Sequence, residues 1–330
     1  MKVLFIGGTG NISIACTRLA LEKGYDVFHL NRGNTENPFG NQVNSIKADI
    51  NDQESITNAL KGLKFDVVAN FIAYVSEDIR RDYEFFHDKT NQYIFISSAS
   101  AYQKPPTNPV ITESTPLKNP FWQYSRDKIS CENYLNELYR DKDYPITIIR
   151  PSLTYETVIP AAIGSWDDFT IVDRIRNGKK IIVHGDGSSL WTITHSEDFA
   201  RGFVGLLGHQ QAIGHSFHIT SDEILTWNQI YEAIGLAAGK IPDMVHISSE
   251  FIARFDSFHL GNLLGDKANS VIFDNSKIKS FVPEFQALIP FKDGIKRTVE
   301  WFEEQPSRMR VIEETNNFMN RVIQSYLRVQ

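Results

Sequence analysis

Residues 3–13 are Val3-Leu4-Phe5-Ile6-Gly7-Gly8-Thr9-Gly10-Asn11-Ile12-Ser13, and helical periodicity continues from there to Glu22. The apolar run predicts a buried strand, and the glycines predict a tight turn into a helix. The spacing Gly8-x-Gly10-x-x-Ser13 fits a dinucleotide-binding fingerprint, with a small residue in the third place. Such a turn uses glycine because its backbone angles are unusual and because a Cβ would keep a pyrophosphate from the helix N-terminus. A glycine turn with a purely structural role is the alternative.

Short apolar runs alternate with helical patterns through the first half of the chain. After the first strand, further strands are predicted at 26–30, 44–47, 66–72, 92–97 and 146–149, with helices at 12–22 and 53–60. Apolar strands of this kind indicate a parallel sheet covered by helices on both faces and joined by right-handed crossovers. The predicted fold class is therefore α/β, a doubly wound parallel Rossmann sheet.

The second half is less regular, and no low-complexity linker separates it from the first. Strands are predicted at 179–183 and 217–219, and helices at 198–207, 227–238, 295–304 and 311–326. We expect the helix at 198–207 to return to the first domain. The predicted NAD(P)-binding Rossmann domain is 1–155 plus about 190–215. Residues 156–189 and 216–330 are predicted to form a smaller, interleaved C-terminal substrate-binding lobe with the last helices.

Composition excludes several classes of protein. The chain has 330 residues, 42% of them hydrophobic, and a net charge of −6. No apolar run is long enough to span a membrane, and a nucleic-acid partner would need a basic face. Cys16 and Cys131 give neither metal spacing nor a disulfide framework, so we expect two buried thiols. The prediction is a cytoplasmic protein with a small-molecule substrate and without a metal, a membrane or a nucleic acid as partner.

The predicted second strand ends without the acid that would bind the ribose 2′-hydroxyl of NAD. Asn31 stands there and can hydrogen-bond a hydroxyl, and Arg32 after it can meet a 2′-phosphate. This favours NADP, with NAD left open and an Arg32 that stacks on adenine or lies in solvent as the alternative. Asp49 and Ile50 follow the third strand and are expected to flank the adenine. The phosphates are expected on Gly7, Gly8, Thr9, Gly10, Asn11 and Ile12.

A serine-rich strand end and a Tyr-x-x-x-Lys spacing follow. The fifth strand leads into Ser97-Ser98-Ala99-Ser100, and Tyr124 and Lys128 stand four residues apart, on one face of a helix. A neighbouring ammonium and the positive ring of the cofactor favour the phenolate, so that Tyr124 can exchange a proton near neutral pH. Lys128 is also expected to hold the nicotinamide ribose, and Ser98 to hydrogen-bond the reacting oxygen. The alternative is a surface tyrosine and lysine on an amphipathic helix.

With these motifs the sequence resembles the extended and atypical short-chain dehydrogenase/reductase superfamily, in its NAD-dependent epimerase/dehydratase group. The residues that carry the resemblance are Gly7-Gly8-Thr9-Gly10, Asp49, Ser98, Tyr124, Lys128, Arg150-Pro151, Gly185-Asp186-Gly187 and Asp198-Phe199-Ala200. They span most of the chain. The Asn31-Arg32-Gly33 turn is similar to an atypical branch that includes chloroplast stem-loop-binding proteins and bacterial "dehydratases".

The resemblance implies an NAD(P)-dependent enzyme of carbohydrate metabolism that moves hydride between a sugar-like alcohol and a ketone, as an oxidoreductase or as an epimerase. It adds Phe71, Ile72 and Pro151 to the expected cofactor site. It allows a homodimer through the helix that carries Tyr124 and the helix before it. The atypical branch raises a second function, a cofactor-binding RNA-associated or regulatory protein, which would need a basic surface and a degraded Tyr/Lys pair.

Three departures from the family pattern bear on the substrate. Trp191 stands where sugar-nucleotide epimerases place an arginine that grips the diphosphate, and Leu153 stands where they often place an asparagine. Ala99-Ser100 replaces the Asp-Glu pair of the sugar 4,6-dehydratases, which speaks against that elimination. A sugar without a nucleotide, or another polyol, is therefore expected. The candidate substrate contacts are Tyr74, Trp122, Tyr155 and Trp191, with packing between lobes as the alternative for Trp191.

Overall fold

The computed structural model describes residues 1–34, 37–164 and 166–328. The strands up to residue 151 are β1 (Lys2–Ile6), β2 (Asp26–Asn31), β3 (Asn44–Lys47), β4 (Val67–Asn70), β5 (Tyr93–Ile96), β6 (Val110–Ile111) and β7 (Ile146–Pro151). The later strands are β8 (Leu153–Tyr155), β9 (Ile181–His184), β10 (Leu190–Trp191), β11 (Ile193–His195), β12 (Ser216–Ile219), β13 (Leu225–Thr226), β14 (Met244–Ile247) and β15 (Ile272–Phe273).

The helices lie between these strands and in the last quarter of the chain. They are α1 (Asn11–Glu22), α2 (Gln53–Ala59), α3 (Ser76–Phe86), α4 (Gln123–Lys142), α5 (Thr170–Arg176), α6 (Ser196–Leu206), α7 (Trp227–Ala238), α8 (Ser249–Ala253), α9 (Ser276–Phe281), α10 (Phe291–Glu303) and α11 (Glu313–Leu327). One further segment, Leu260–Lys267, is a π-helix, a conformation that is frequent at functional sites.

A central sheet of seven parallel strands organises the first half. Its order is β12-β7-β5-β4-β1-β2-β3, and every neighbouring pair is parallel. The chain moves outward from β1 in one direction through β2 and β3 and in the other through β4 and β5. Loops at the carboxyl ends of β1 and β4 therefore diverge and leave a crevice. The predicted doubly wound α/β fold is confirmed.

Two apolar layers cover the sheet because successive side chains of a strand point to opposite faces. Val3 packs with Cys16 and with residues of α6 in one layer, whereas Leu4 packs with Cys131 and other residues of α4 in the other. Both cysteines are free and buried, as predicted.

Residues beyond β7, together with Ala99, Tyr102 and Ile111, build a second apolar core around α5, α7, α10 and α11. Trp227 and Tyr231 are among its largest buried side chains. The chain nevertheless returns to the first sheet, because Ser216–Ile219 is the edge strand β12 and α9 packs against it. The edge strand thus comes from beyond residue 215, the limit expected for the Rossmann part. The division into two lobes stays a prediction.

Candidate active site

Two adjacent cavities lie at the carboxyl ends of the central strands. The larger, about 560 Å³, is lined by the turn after β1, the ends of β5 and β7, the start of α4 and the π-helix. The smaller, about 380 Å³, lies at the ends of β1, β2 and β3. Gly7, Gly10 and Ile72 line both. One extended ligand can therefore reach from one cavity to the other across the glycine turn.

The positions of this turn require glycine for different physical reasons. Gly7 has a φ of +81°, and a Cβ there would overlap Ile72. Gly8 lines neither cavity; it lies against the buried ring of His29, which a Cβ would overlap. At Gly10 the nearest atom to a Cβ would be Oγ of Ser13, 3.5 Å away. Packing within the protein therefore explains Gly7 and Gly8, whereas the space over Gly10 belongs to the cavities.

The N-terminus of α1 stands at the shared part of the cavities. Ser13 Oγ accepts a hydrogen bond from Gly10 N (2.8 Å) and donates one to Gly7 O (2.8 Å), which holds the turn. The Asn11 side chain donates to Thr154 O (3.0 Å), and Asn11 and Ile12 both line the larger cavity. The first N–H groups of a helix lack partners within it and attract anions. The N-terminus of α1 therefore presents N–H groups that could receive an anion to the shared part of the cavities.

The smaller cavity contains the residues predicted for the adenosine end. Arg32 is exposed at its rim, and its guanidinium donates to no residue within the described ranges. The carboxylate of Asp49 accepts from Asn51 N (2.9 Å). Besides the three residues shared by both cavities, the predicted cofactor residues that line this one are Thr9, Asn31, Arg32, Asp49 and Ile50.

Ser98 and Tyr124 line the larger cavity from the end of β5 and from the first turn of α4. Ser98 Oγ accepts from Ser100 N (3.2 Å) and lies 2.9 Å from Ser100 Oγ, which in turn accepts from Ser125 Oγ (2.8 Å). Burial raises the pKa of Tyr124, and a hydrogen bond with Ser98 lowers it by less. A chain of hydroxyl groups therefore runs from Ser125 through Ser100 to the two predicted catalytic groups.

Lys128 is buried behind Tyr124 and lines neither cavity. Its Nζ donates to Ala73 O (2.6 Å) and Ile96 O (2.8 Å), and it lies 4.6 Å from the centroid of the Tyr74 ring and 5.8 Å from that of Tyr124. Burial lowers the pKa of Lys128 to about 8. An ammonium has three N–H donors, so one is left without an acceptor among the described residues.

Three of the four aromatic residues predicted for the substrate line the larger cavity: Tyr74, Trp122 and Trp191. The ring of Trp122 lies 5.0 Å from that of Tyr124, and the ring of Tyr74 lies 6.3 Å from it. Both therefore flank the phenol. Trp191 is buried, and its indole N–H has no hydrogen-bond partner among the residues that the structure describes.

The fourth, Tyr155, does not line the cavity, contrary to the prediction. It is fully buried in the second core, where its ring packs against His195 and Phe291, each at 5.2 Å. Its hydroxyl donates to Phe291 O (3.4 Å). The reason is that β8 leaves the central sheet and pairs with β11, which carries Tyr155 into the other lobe.

Several cavity residues carry no sequence signal of their own. Ser100 supports Ser98, but the strand-end motif contains several serines and does not say which one. Asp266 and Lys267 line the larger cavity from the π-helix, in a part of the chain for which no element is predicted. A buried lysine is unusual enough to signal a function, but its burial cannot be known before the fold.

The described residues give no sign of a membrane span or a metal centre. No helix among them is both long and apolar enough to cross a bilayer. Within 1–34, 37–164 and 166–328, no group of three or more His, Cys, Asp or Glu side chains is placed to hold a metal ion.

Comparisons with known proteins agree with this architecture. The model of the NAD dependent epimerase/dehydratase family matches residues 3–220. The chain is 26% identical over 259 residues to the chloroplast stem-loop binding protein of 41 kDa b of Arabidopsis thaliana, an alignment that covers 74% of this chain and 65% of that protein, just under two thirds of its length. It is 21% identical over 287 residues to the 2'-dehydrokanamycin reductase of Streptomyces kanamyceticus, covering 87% and 80%.

Among solved structures, the dTDP-glucose 4,6-dehydratase of Bacillus anthracis, determined in complex with NAD, superposes with a TM-score of 0.72. Sequence identity is 20%, and the match covers 93% of this chain and 98% of that one. This likeness supports the fold.

Proposed function

The chain belongs to the NAD dependent epimerase/dehydratase family, and on that premise we propose an NAD(P)-dependent oxidoreductase or epimerase that acts on a sugar-like alcohol or ketone. In this proposal Tyr124, Lys128 and Ser98 assist hydride transfer. The observation that carries it is that Ser98 and Tyr124 line the same cavity as the glycine turn of α1. A proton-exchanging pair beside a phosphate-binding turn is what the interconversion of an alcohol and a ketone needs.

The residues present fit a dinucleotide. The absent Cβ at Gly10 leaves room for a pyrophosphate over the N-terminus of α1, which supplies unpartnered N–H groups. A bound nicotinamide would supply the hydride donor or acceptor. Lys128 lines neither cavity, so the proposal assigns it the positive charge beside Tyr124 and not the predicted contact with the ribose. Phe71, Ile72 and Pro151, which the resemblance adds to the cofactor site, line the larger cavity and are proposed to contact the nicotinamide.

Side chains of the protein can supply and accept the proton that the substrate oxygen exchanges. Ser98 Oγ accepts a hydrogen bond from the backbone N–H of Ser100. Because the Ser100 hydroxyl already accepts from Ser125, its own proton is directed to Ser98 Oγ. The O–H of Ser98 is then free for the substrate oxygen or for Tyr124. Burial raises the pKa of Tyr124, so the phenol of the free protein is protonated and can donate to a ketone. Oxidation of an alcohol needs the positive charges of Lys128 and of the oxidised ring to favour the phenolate.

Ser100→Ala should lower kcat about tenfold, because Ser98 loses the hydrogen bond that orients it. This corresponds to a rise of about 1.4 kcal/mol in the activation free energy. Cofactor affinity should not change, because the Ser100 hydroxyl bonds to Ser98 and Ser125 and Ser100 is not among the expected cofactor contacts. Steady-state kinetics and a cofactor titration measure the two effects. Ser114→Ala, at an exposed hydroxyl bonded to Thr112, is the matched control. An unchanged kcat in a folded Ser100→Ala variant would contradict the role of the hydroxyl chain.

For the cofactor we infer a preference for NADP, because Arg32, at the rim of the smaller cavity, donates to none of the described residues, and because Asn31 stands at the end of β2 where an NAD site has an acid. NADPH should bind about tenfold more tightly than NADH, since a charge-assisted hydrogen bond to a 2′-phosphate is worth at least about 1.4 kcal/mol. Arg32→Gln should remove this preference by weakening NADPH alone. Separate titrations of NADH and NADPH test it, and tighter binding of NADH to the native protein would refute it.

The substrate is proposed to be a sugar or polyol without a nucleotide. Trp191 and Leu153 offer no charge to a diphosphate at the positions where an arginine and an asparagine would, and both line the larger cavity. Ala99-Ser100 provides no acid for a 4,6-elimination. Aromatic rings at the cavity, Trp122 and Trp191 among them, suit the apolar faces of a pyranose. One relative is named as a reductase of 2'-dehydrokanamycin, which is consistent with this class.

A nucleic-acid-associated role is the second candidate, supported by the similarity to a stem-loop binding protein. Against it stand the net charge of −6 and the intact Tyr124/Lys128 pair. Binding of stem-loop RNA that weakens steeply with salt, as phosphate contacts require, would favour this candidate.

The direct test of the proposed function is a panel of sugars and polyols incubated with NAD⁺ or NADP⁺, followed at the absorption band of the reduced nicotinamide. We expect reduction with at least one member, or exchange of label at an epimerised carbon. Tight cofactor binding with neither reduction nor exchange would contradict the proposal.

A further inference from the structure

Asp266 and Lys267 line the larger cavity, and the buried Lys104, which does not line it, reaches the same Asp266 carboxylate. We propose that the positive charge of the two lysines binds an anionic oxygen group, a carboxylate or a phosphate, of the sugar-like substrate. The three residues, called here the cation pocket, are Lys104, Asp266 and Lys267. The proposal deepens the proposed function and rests on it, since it concerns the same substrate.

Lys267 is the best placed of the three. It ends the π-helix, lines the larger cavity and is 6% exposed. Its Nζ donates to Asn262 Oδ1 (2.5 Å) and lies 3.4 Å from Asp266 Oδ2. Its main-chain carbonyl accepts from Trp227 Nε1 (3.1 Å) and is 3.0 Å from a ring nitrogen of His184. The ammonium is therefore held in place.

Lys104 approaches the same carboxylate from another part of the chain. It is 3% exposed, and its Nζ lies 3.8 Å from Asp266 Oδ1 and 5.4 Å from the centroid of a Trp191 ring. Two ammonium groups thus share one carboxylate. Burial lowers the pKa of Lys104 and of Lys267. The cation pocket carries an excess of one positive charge when both lysines are protonated, and buried charge of this kind is unfavourable unless it is paired.

A second, independent observation points to an acceptor at the same wall. The indole N–H of Trp191 is a donor only, is buried, and has no partner within the described part of the chain. Nδ1 of His259, which also lines the cavity, has no partner among those residues either. An anionic oxygen in the cavity would accept from Trp191 and from Lys267, the two of these donors that line it. Trp191 thus contributes a neutral donor, while the positive charge comes from Lys104 and Lys267.

The cation pocket lies close to the proposed chemistry. Lys267 Nζ is 5.7 Å from the centroid of a Trp122 ring, and Trp122 is 5.0 Å from the ring of Tyr124. The width of one indole therefore separates the ammonium from the phenol. A single sugar can place one carbon at Tyr124 and an anionic substituent at Lys267. The expected substrate class is a sugar acid or a sugar phosphate.

Three probes test the charge: D-glucuronate, D-glucose 6-phosphate and the neutral D-glucose, titrated into the cofactor-loaded protein. Tryptophan fluorescence reports binding, because Trp122, Trp166 and Trp191 line the cavity. We expect at least one anionic probe to bind ten or more times more tightly than glucose. Which of the two does so tells a carboxylate from a phosphate.

Two substitutions with opposite expected effects test the assignment. Lys267→Gln should lower the affinity for the anionic probe about tenfold and leave the affinity for glucose unchanged. Asp266→Asn should raise the affinity for the anionic probe. A gain in affinity cannot come from a damaged fold. Lys180→Gln, at an exposed lysine paired with Asp243 at 3.0 Å, is the matched control and should change nothing.

Equal affinities for charged and neutral probes would overturn the proposal, as would an unchanged anion affinity in both variants with cofactor binding intact. Because affinity is measured without turnover, these outcomes differ from a failure of the proposed function, which shows itself as absent hydride transfer.

Discussion

Tyr124→Phe should bind the nicotinamide cofactor as tightly as the native protein does and lose about 10³-fold in kcat, the scale expected of a general acid–base group. Phenylalanine keeps the ring that lies 5.0 Å from Trp122 and 6.3 Å from Tyr74. It removes only the hydroxyl that bonds to Ser98 and would exchange the substrate proton. Cofactor titration and steady-state rates on the substrate found in the sugar panel measure the two effects separately.

Tyr139→Phe is the matched control, because Tyr139 stands on the same helix, α4, is 41% exposed and lines neither cavity. It should change neither cofactor affinity nor kcat. Normal turnover by Tyr124→Phe would show that the phenol does not exchange the proton. A variant that also loses cofactor affinity would show that Tyr124 acts in binding, and the assigned mechanism would then be wrong.

Local patterns predict the first half of the fold because each buried strand there is a short apolar run of its own. β1 and the start of α1 follow directly from residues 3–13, and β2, β3, β5 and β7 fall within a residue or two of their predicted ranges. α3 is different, because six of the eleven residues of Ser76–Phe86 are charged. The apolar residues that are buried, Ile79, Phe85 and Phe86, are too few to give a clear helical pattern in the sequence. Its helical character depends on packing against the sheet and α4.

The residues of the site also fall into those that local sequence patterns predict and those that they do not. Residues that stand next to a strand end in sequence, such as Ser98 and Arg32, are placed correctly at the cavities by topology alone. Tyr155 is misplaced because the pairing of β8 with β11 is non-local. Lys104 and Lys267 meet at one carboxylate although they lie far apart in the chain. No periodicity or motif connects such residues, so a contact of this kind is visible only in the folded protein.

Gly10→Ala should abolish tight cofactor binding and leave the fold intact. The nearest protein atom to the new Cβ is 3.5 Å away, an ordinary contact, and the φ of Gly10, −88°, suits alanine. The methyl group would instead occupy the space over the N-terminus of α1 where the pyrophosphate is proposed. We expect affinity to fall by about 100-fold, or about 2.7 kcal/mol, measured by titration of NADPH and NADH.

Gly8→Ala is the informative contrast, because the two glycines stand two residues apart in one turn but face different neighbours. A Cβ at Gly8 would overlap the buried ring of His29, whose Nε2 lies 2.9 Å from Thr17 Oγ1. That variant should lose about 1–3 kcal/mol of stability through overpacking, whereas Gly10→Ala should unfold at nearly the native temperature. Thermal unfolding without cofactor separates the two effects. If Gly10→Ala bound cofactor normally, the pyrophosphate would not lie over this glycine, and the dinucleotide assignment of the turn would fail.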